Sequence, residues 1–310
     1  LISSRILVIK LGALGDFIQA MGPFRAIREF HREARITLLT TVPFEALARR
    51  CGYFDEVWVD ERPRAYQIPL LLALRRRLRG AEFARIYDLQ TSSRSGFYFH
   101  MFWPGSAPEW SGIAGGCSHP HDNPARNSMH TLSRQAEQLV CAGIAKTPAP
   151  DLSWMTADIS RFELEGDFVL LVPGGAVHRP AKCWGADSYG ALARHLAKTG
   201  LIPVLLGGLD DGEVITAIEK SCPRARDLCG KTELEDIAVL ARAAQGAVGN
   251  DTGPMHVIAA CGCPSLVLFS GDSDPTLCAP RGANVSILRR DPLTRLSREK
   301  VIAALQLRGP

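Results

Sequence analysis

The feature that most constrains this chain is a triplet that occurs twice: an apolar strand, a glycine-bearing turn and a helix. Arg5 to Lys10 (RILVIK) is an almost unbroken apolar run, the pattern of a parallel strand covered on both faces. A loop from Leu11 to Asp16 leads to a helix over Phe17 to Phe30, and strands are expected at Ile36 to Thr41, Glu56 to Val59 and Arg85 to Leu89, with a helix at Leu70 to Leu78. From Pro104 to Asn127 Gly, Ser, Pro and His break the periodicity; a helix resumes over His130 to Gly143, and Thr147 to Ser153, with Pro148 and Pro150, reads as a linker. The second half repeats the scheme. Phe168 to Val172 is a strand, Pro173 to Lys182 a loop, Ala186 to Lys198 a helix and Leu201 to Leu206 a strand closed by Gly207 and Gly208. Helices at Glu213 to Cys222 and Leu234 to Ala243, a short strand at Ala247 to Gly249, a helix opening after Asp251 and a last clear strand at Ser265 to Phe269 complete it. The expected fold is α/β, two Rossmann-like doubly wound domains over residues 1–150 and 151–310, whose ligands sit at the carboxyl ends of the strands.

Composition narrows the class. A chain of 310 residues with 46% hydrophobic and 22% charged side chains can bury two separate cores. No apolar run approaches the roughly 18 residues needed to span a bilayer. The chain opens on Leu1 and then a strand, with no signal peptide visible, and its nine scattered cysteines contain no CxxC pair, so reduced thiols and a cytoplasmic location are expected. Cys261 and Cys263 lack a second ligand pair, and no metal site is assigned there. Residues 1–150 carry 19 Lys and Arg against 13 Asp and Glu, whereas residues 151–310 carry 17 against 19. Much of the excess is Arg62, Arg64, Arg75, Arg76, Arg77 and Arg79, either a solvated helix face or a patch for an anionic partner. Aromatic residues do not interleave with them as in a base-stacking platform, which speaks against nucleic acid.

Three turns carry candidate chemistry. In Lys10-Leu-Gly-Ala-Leu-Gly-Asp16, Gly12 and Gly15 permit a tight turn before a helix N-terminus, and Asp16 either caps that helix or faces a ligand. It is not the GxGxxG fingerprint, and Thr40 and Thr41 stand where an NAD enzyme places an acid. In Val172 to Trp184 (VPGGAVHRPAKCW), Gly174 and Gly175 free the backbone while Lys182, with His178 or Arg179, can reach an anion. The third, Gly249-Asn-Asp-Thr-Gly-Pro-Met-His256, places Asp251 or Thr252 at an N-cap, Gly253 and Pro254 in the first turn and His256 beside them, a diphosphate cradle with a carboxylate and an imidazole at hand.

Together, ILVIKLGALGD, DLQTSSRS (Asp88 to Ser95), the PGG loop leading to Lys182 and Trp184, LLGG at Leu205 to Gly208, and NDTGPMH resemble glycosyltransferase family 9, the ADP-heptose:lipopolysaccharide heptosyltransferases, in order along nearly the whole chain. The resemblance implies a GT-B fold with an acceptor-binding N-terminal domain and a nucleotide-sugar-binding C-terminal domain facing across a cleft, and an inverting, metal-independent transfer without a cofactor. It implies Asp16 as general base, Lys182 against the leaving diphosphate, Thr252 and Gly253 offering amides to it, Asp251 and His256 near the sugar, and Asp210 close to the nucleoside. Val177 and His178 depart from a pair of phosphate-holding threonines in the best-known members, which bears on the donor's identity. Expected partners are a nucleoside-diphosphate sugar and an anionic lipid-linked saccharide; peripheral contact with the inner membrane fits such an acceptor, although no amphipathic anchor stands out.

Other signals are read as structural. Asp272-Ser-Asp274 has DxD spacing, yet its flanking Gly271 and Pro275 mark a turn. His119 and His121 near Cys117 lie in the turn-forming GGCSHPHDNP, a loop or a lid over the acceptor rather than zinc ligands. There is no GxSxG elbow and no Walker A sequence. Two alternatives share the fold: a UDP-sugar epimerase and a non-catalytic nucleotide-sugar binding protein.

Overall fold

Apolar runs that can only be buried become the central strands. In the computed structural model, which describes residues 4–175 and 183–309, β1 (Arg5–Ile9) lies between β2 (Arg35–Thr40) and β4 (Arg85–Asp88) in parallel register, with Ile6, Leu7, Val8 and Ile9 all buried. The chain divides into two compact units, residues 1–150 and 151–310. Unit 1 is a six-stranded parallel sheet completed by β3 (Glu56–Val59), β5 (Glu109–Gly112) and β6 (His119–Pro120), in the order β3-β2-β1-β4-β5-β6. Its helices are α1 (Leu14–Gln19), α2 (Met21–Phe30), α3 (Val42–Arg50), α4 (Ile68–Gly80), α5 (Ser93–His100) and α6 (Thr131–Cys141).

Unit 2 repeats the plan. β7 (Phe168–Val172), β8 (Ile202–Leu205), β9 (Arg226–Asp227), β10 (Gly246–Asn250), β11 (Ser265–Phe269) and β12 (Val285–Arg289) form a sheet ordered β12-β11-β10-β7-β8-β9. Helices α7 (Ala186–Lys198), α8 (Gly212–Ser221), α9 (Leu234–Ala243), α10 (Gly253–Ala260), α11 (Pro275–Cys278) and α12 (Arg298–Ala304) accompany it. Counted from its own first strand, each sheet has the order 3-2-1-4-5-6 of doubly wound nucleotide-binding folds. The order reverses beside β1 and β4 in unit 1 and beside β7 and β10 in unit 2. Ligand crevices of such sheets open there, at the carboxyl ends of those strands.

Several elements depart from expectation. The first helix starts at Leu14 rather than Phe17, with Ala13 as its N-cap, so Asp16 sits inside the first turn and does not cap it. The Gly- and Pro-rich stretch after residue 104 holds two short strands, β5 beside β4 and β6 at the sheet edge. β5 is only EWSG, but Trp110 is fully buried and pairs in register with Ile86, so one large apolar side chain recruits four residues that carry no alternation. Beyond Phe269 a further strand, β12, adds to β11; its half-exposed edge position explains its weak apolar signal. Asp272 to Asp274 is a turn, and the Asp274 carboxylate caps α11 by accepting from the Thr276 amide at 2.9 Å.

Candidate active site

The unit 1 crevice is floored by buried charge. After β1 the chain turns through Gly12, whose φ of +121° is left-handed and whose missing Cβ would lie 2.6 Å from the Phe44 ring. Phe44 stacks on Phe17 of α1 with ring centroids 5.0 Å apart, so the turn is clamped to the helix bearing Gly15 and Asp16, both half-buried. The Leu11 amide donates to Gln90 Oε1 at 2.8 Å, and the Thr41 hydroxyl donates to the Leu11 carbonyl at 3.0 Å. Lys10, one residue beyond β1, is buried and donates from Nζ to the Leu89 carbonyl at 3.3 Å. Burial lowers its pKa, while the charges of Asp16 and Asp88 act to raise it.

Asp88, the last residue of β4, is fully buried. Its Oδ1 accepts the amides of Gln90 at 3.1 Å and Thr91 at 2.9 Å, and Oδ2 meets no donor within hydrogen-bond geometry among the described residues. Burial lifts its pKa to about 6 against the opposing pull of these amides and of Lys10. Arg126 donates to the Thr91 hydroxyl at 2.6 Å, and its buried Nε meets no partner among the described residues. Burial and the charge of Arg134 lower the Arg126 pKa, and Arg134 acts on Lys10 in the same sense. The structure thus gathers Lys10, Asp16, Asp88, Arg126 and Arg134 into one electrostatic neighbourhood. His121 lies beside it with Nε2 3.3 Å from Glu137 Oε1, its pKa lowered by burial. Among the described residues, no three His, Cys, Asp or Glu side chains could together hold a metal ion.

The unit 2 crevice is organised by a neutral amide. Asn250 ends β10 and is fully buried. Its Nδ2 donates to the carbonyls of Pro173 at 2.7 Å and Gly174 at 3.1 Å; its Oδ1 accepts the Trp184 amide at 3.2 Å and faces the Tyr189 hydroxyl at 3.1 Å. Those partners fix which end of the amide is nitrogen. One side chain therefore ties both ends of the 173–184 loop to the strand. Gly174 has no room for a Cβ, which would meet the Asp211 carboxylate at 2.3 Å. That carboxylate accepts the amides of Gly208 at 2.9 Å and Gly175 at 3.4 Å. Asp210, its neighbour in the turn Leu209–Asp211, is exposed and makes none of these bonds. Lys182, together with Val177, His178 and Arg179, lies outside the described residues.

Helix α10 opens on the same crevice. Thr252 is its N-cap, but the hydroxyl donates back to the Asn250 carbonyl at 3.2 Å and makes no side-chain cap. Gly253 and Pro254 follow in the first turn, with His256 buried at its end. The Asp251 amide bonds to the Leu268 carbonyl at 3.0 Å, and Asp251 Oδ2 accepts from the Ser273 hydroxyl at 2.7 Å, so the DxD-like turn braces the motif rather than standing apart. Asp251, Thr252, Gly253 and His256 thus come together with Gly174 and Gly175 around Asn250. The sequence motif gives Asn250 no task, and the sequence does not single out Asp211, which makes the loop contact. Nothing local signals either, because both depend on loops brought together across 36 to 77 residues.

Two doubly wound sheets with anion-ready turns at their switch points define the GT-B class of glycosyltransferase folds. Structural comparison agrees: E. coli ADP-heptose lipopolysaccharide heptosyltransferase II superposes with a TM-score of 0.78 at 23% identity over 97% of each chain. The E. coli heptosyltransferase WaaC with ADP gives 0.74 at 18% identity over 96% of this chain and 98% of that one. The chain belongs to glycosyltransferase family 9 (heptosyltransferase), whose family model matches residues 71–303. Lipopolysaccharide heptosyltransferase 2 of Escherichia coli K12 is 26% identical over 92% of this chain and 88% of its own length.

Proposed function

We propose that this glycosyltransferase moves a heptose, or a related sugar, from its nucleoside-diphosphate donor, ADP-heptose in our assignment, to a lipopolysaccharide core acceptor, inverting the anomeric centre without a metal. The observation that carries the reading is the Asn250-centred cradle, in which a helix start without a side-chain cap and two glycines converge at one switch point. Family membership and relatives named for heptosyl transfer to lipopolysaccharide support it over an epimerase or a non-catalytic binder.

In this reading unit 1 takes the acceptor and unit 2 the nucleotide sugar. Asp16 accepts the proton of the acceptor hydroxyl as that oxygen bonds to the anomeric carbon. The bond from that carbon to the β-phosphate oxygen breaks, and its electron pair leaves with ADP. Negative charge grows on the phosphate, where Lys182, the amides of Thr252 and Gly253 and the α10 dipole stabilise it. Asp251 and His256 border the sugar, Asp210 the nucleoside, and Gly12, Gly15, Gly174 and Gly175 let backbone approach the ligands. Calorimetric titration with ADP, UDP and GDP, without added metal, tests this. Preferred binding of ADP, weakened at least tenfold by Lys182→Ala, is expected from the loss of a charged phosphate contact worth about 1.4 kcal/mol or more. Preference for UDP, or no binding, sinks the donor assignment.

A further inference from the structure

Helix α4 buries only Leu78, while Leu71 and Leu74 lean on the unit 1 core. The other side of the helix is apolar where water should meet it: Ile68 is 59% and Leu72 52% exposed. At about 100° per residue, Ile68, Leu72, Arg76 and Arg79 share one flank. Trp103, 76% exposed, is held beside this flank by the arginines themselves. Arg75 donates to the carbonyls of Met101 at 2.9 Å and Trp103 at 2.8 Å, and Arg79 to those of Phe102 at 3.0 Å and Pro104 at 3.1 Å. A shallow depression of about 420 Å³ is lined by Leu72, Arg75, Arg76, Arg79 and Gly80.

The charge of this patch is uncompensated. No acidic residue occurs between Ile68 and Ala81, the hydrogen-bond partners of Arg75 and Arg79 are neutral carbonyls, and none of Arg75, Arg76 and Arg79 forms an ion pair among the described residues. Aliphatic side chains, an indole and guanidinium groups at one level match a bilayer boundary, where the first enter the acyl region, the second sits among headgroups and the third meets phosphates. A second copy of this chain would bring like charges together, and one indole among aliphatic side chains is a poor platform for stacked bases.

We infer that the α4 flank bearing Ile68, Leu72 and Arg76, with Trp103 beside it, docks unit 1 on an anionic phospholipid surface. The inference deepens the lipid-linked acceptor reading by naming how the chain reaches a membrane-held saccharide. It is tested by co-sedimenting the full chain with vesicles of phosphatidylcholine alone or mixed with phosphatidylglycerol. The parent partitions onto the mixed vesicles, less so as salt rises. Arg76→Glu and the double variant Leu72→Ser/Trp103→Ala each lower the partition coefficient roughly tenfold. Trp103 emission shifts to the blue on docking, a shift absent in Trp103→Phe. Equal partition of parent and variants overturns the inference. So does a loss confined to Arg76→Glu, which marks a site for a soluble polyanion. ADP titration of the same proteins separates the two readings: variants that bind ADP yet sediment like the parent sink docking alone, and a parent that docks but binds no ADP sinks the donor assignment alone.

Discussion

β4 and β10 are the fourth strands of two sheets with the same order, and each ends on a fully buried side chain of almost identical shape. In unit 1 that residue is Asp88; in unit 2 it is Asn250. Burial pushes the aspartate's pKa up to about 6, against the opposing pull of the Thr91 and Gln90 amides, the Ser95 hydroxyl and the Lys10 charge. The asparagine meets two carbonyls with its nitrogen and an amide and a hydroxyl with its oxygen, and carries no charge. Topology thus decides where a crevice opens, and one atom at the strand end decides its electrostatics. A neutral, fully bonded hub suits a rigid cradle whose amides must stay free for an anion. Buried charge of movable protonation suits the wall to which the proposal assigns the proton transfer.

The largest effect is expected at Asp16, which the proposal makes the general base. Asp16→Ala should lower transfer from ADP-heptose by roughly 10²- to 10⁴-fold, the usual contribution of a general base. ADP affinity, which the proposal assigns to unit 2, should stay within a few fold by calorimetry. Undiminished transfer in the variant would remove Asp16 from the base's role, and a parallel loss of ADP affinity would break the division of labour between the units.

Exchanging the two strand ends comes next. Asn250→Asp places a carboxylate against the carbonyls of Pro173 and Gly174 with no proton to give them, and should cost about 4 kcal/mol at neutral pH, recovering partly on acidification as the acid protonates. Urea unfolding at two pH values measures it; an unchanged midpoint would mean that the hub is not a structural keystone. The opposite exchange, Asp88→Asn, is a matter of pH. The folded pKa of about 6 exceeds the unfolded value of about 3.9, so between those values the native state holds a proton that the unfolded chain has released. The parent therefore loses stability through this group as pH rises from 4 to 7, by up to about 3 kcal/mol, and the variant does not. Stability of the variant relative to the parent should grow across that window; a flat difference would show that Asp88 is not held above its ordinary range.

Sequence made the strands legible where burial on both faces leaves only apolar residues, as in RILVI and SLVLF, and the turns legible where glycine is required, as at Gly12. It left β5 and β12 obscure, because a four-residue strand anchored by Trp110 and a half-exposed last strand lack a run to read. Motif residues were legible as a set, but their internal division was not. Asn250 and Asp211 act on carbonyls and amides supplied from far along the chain, and Lys10 reveals itself as buried charge only once β4 is laid beside β1. The first helix shows the local limit: Gly15 and Asp16 look like a turn and its cap, yet the helix begins three residues earlier, at Leu14, and carries Phe17 against Phe44, a partner from another element.

The smallest expected effect probes how closely the unit 2 loop is fitted. Gly174 has an ordinary φ, so alanine there suffers from crowding rather than from backbone strain, and the crowding atom belongs to Asp211. Gly174→Ala should cost about 1 to 2 kcal/mol, as the carboxylate swings away and the Gly208 and Gly175 amides lose their acceptor. Asp211→Ala alone loses the same two bonds and should cost a similar amount. Combining them removes the clash along with the carboxylate, so the double variant should fall well short of the sum, a coupling that a double-mutant cycle reads directly. Strict additivity would mean that the two residues do not share this contact. It would also return Asp211 to the surface beside Asp210, leaving Asn250 to tie the described ends of the loop and narrowing the contrast with unit 1 to a single strand-end residue in each sheet.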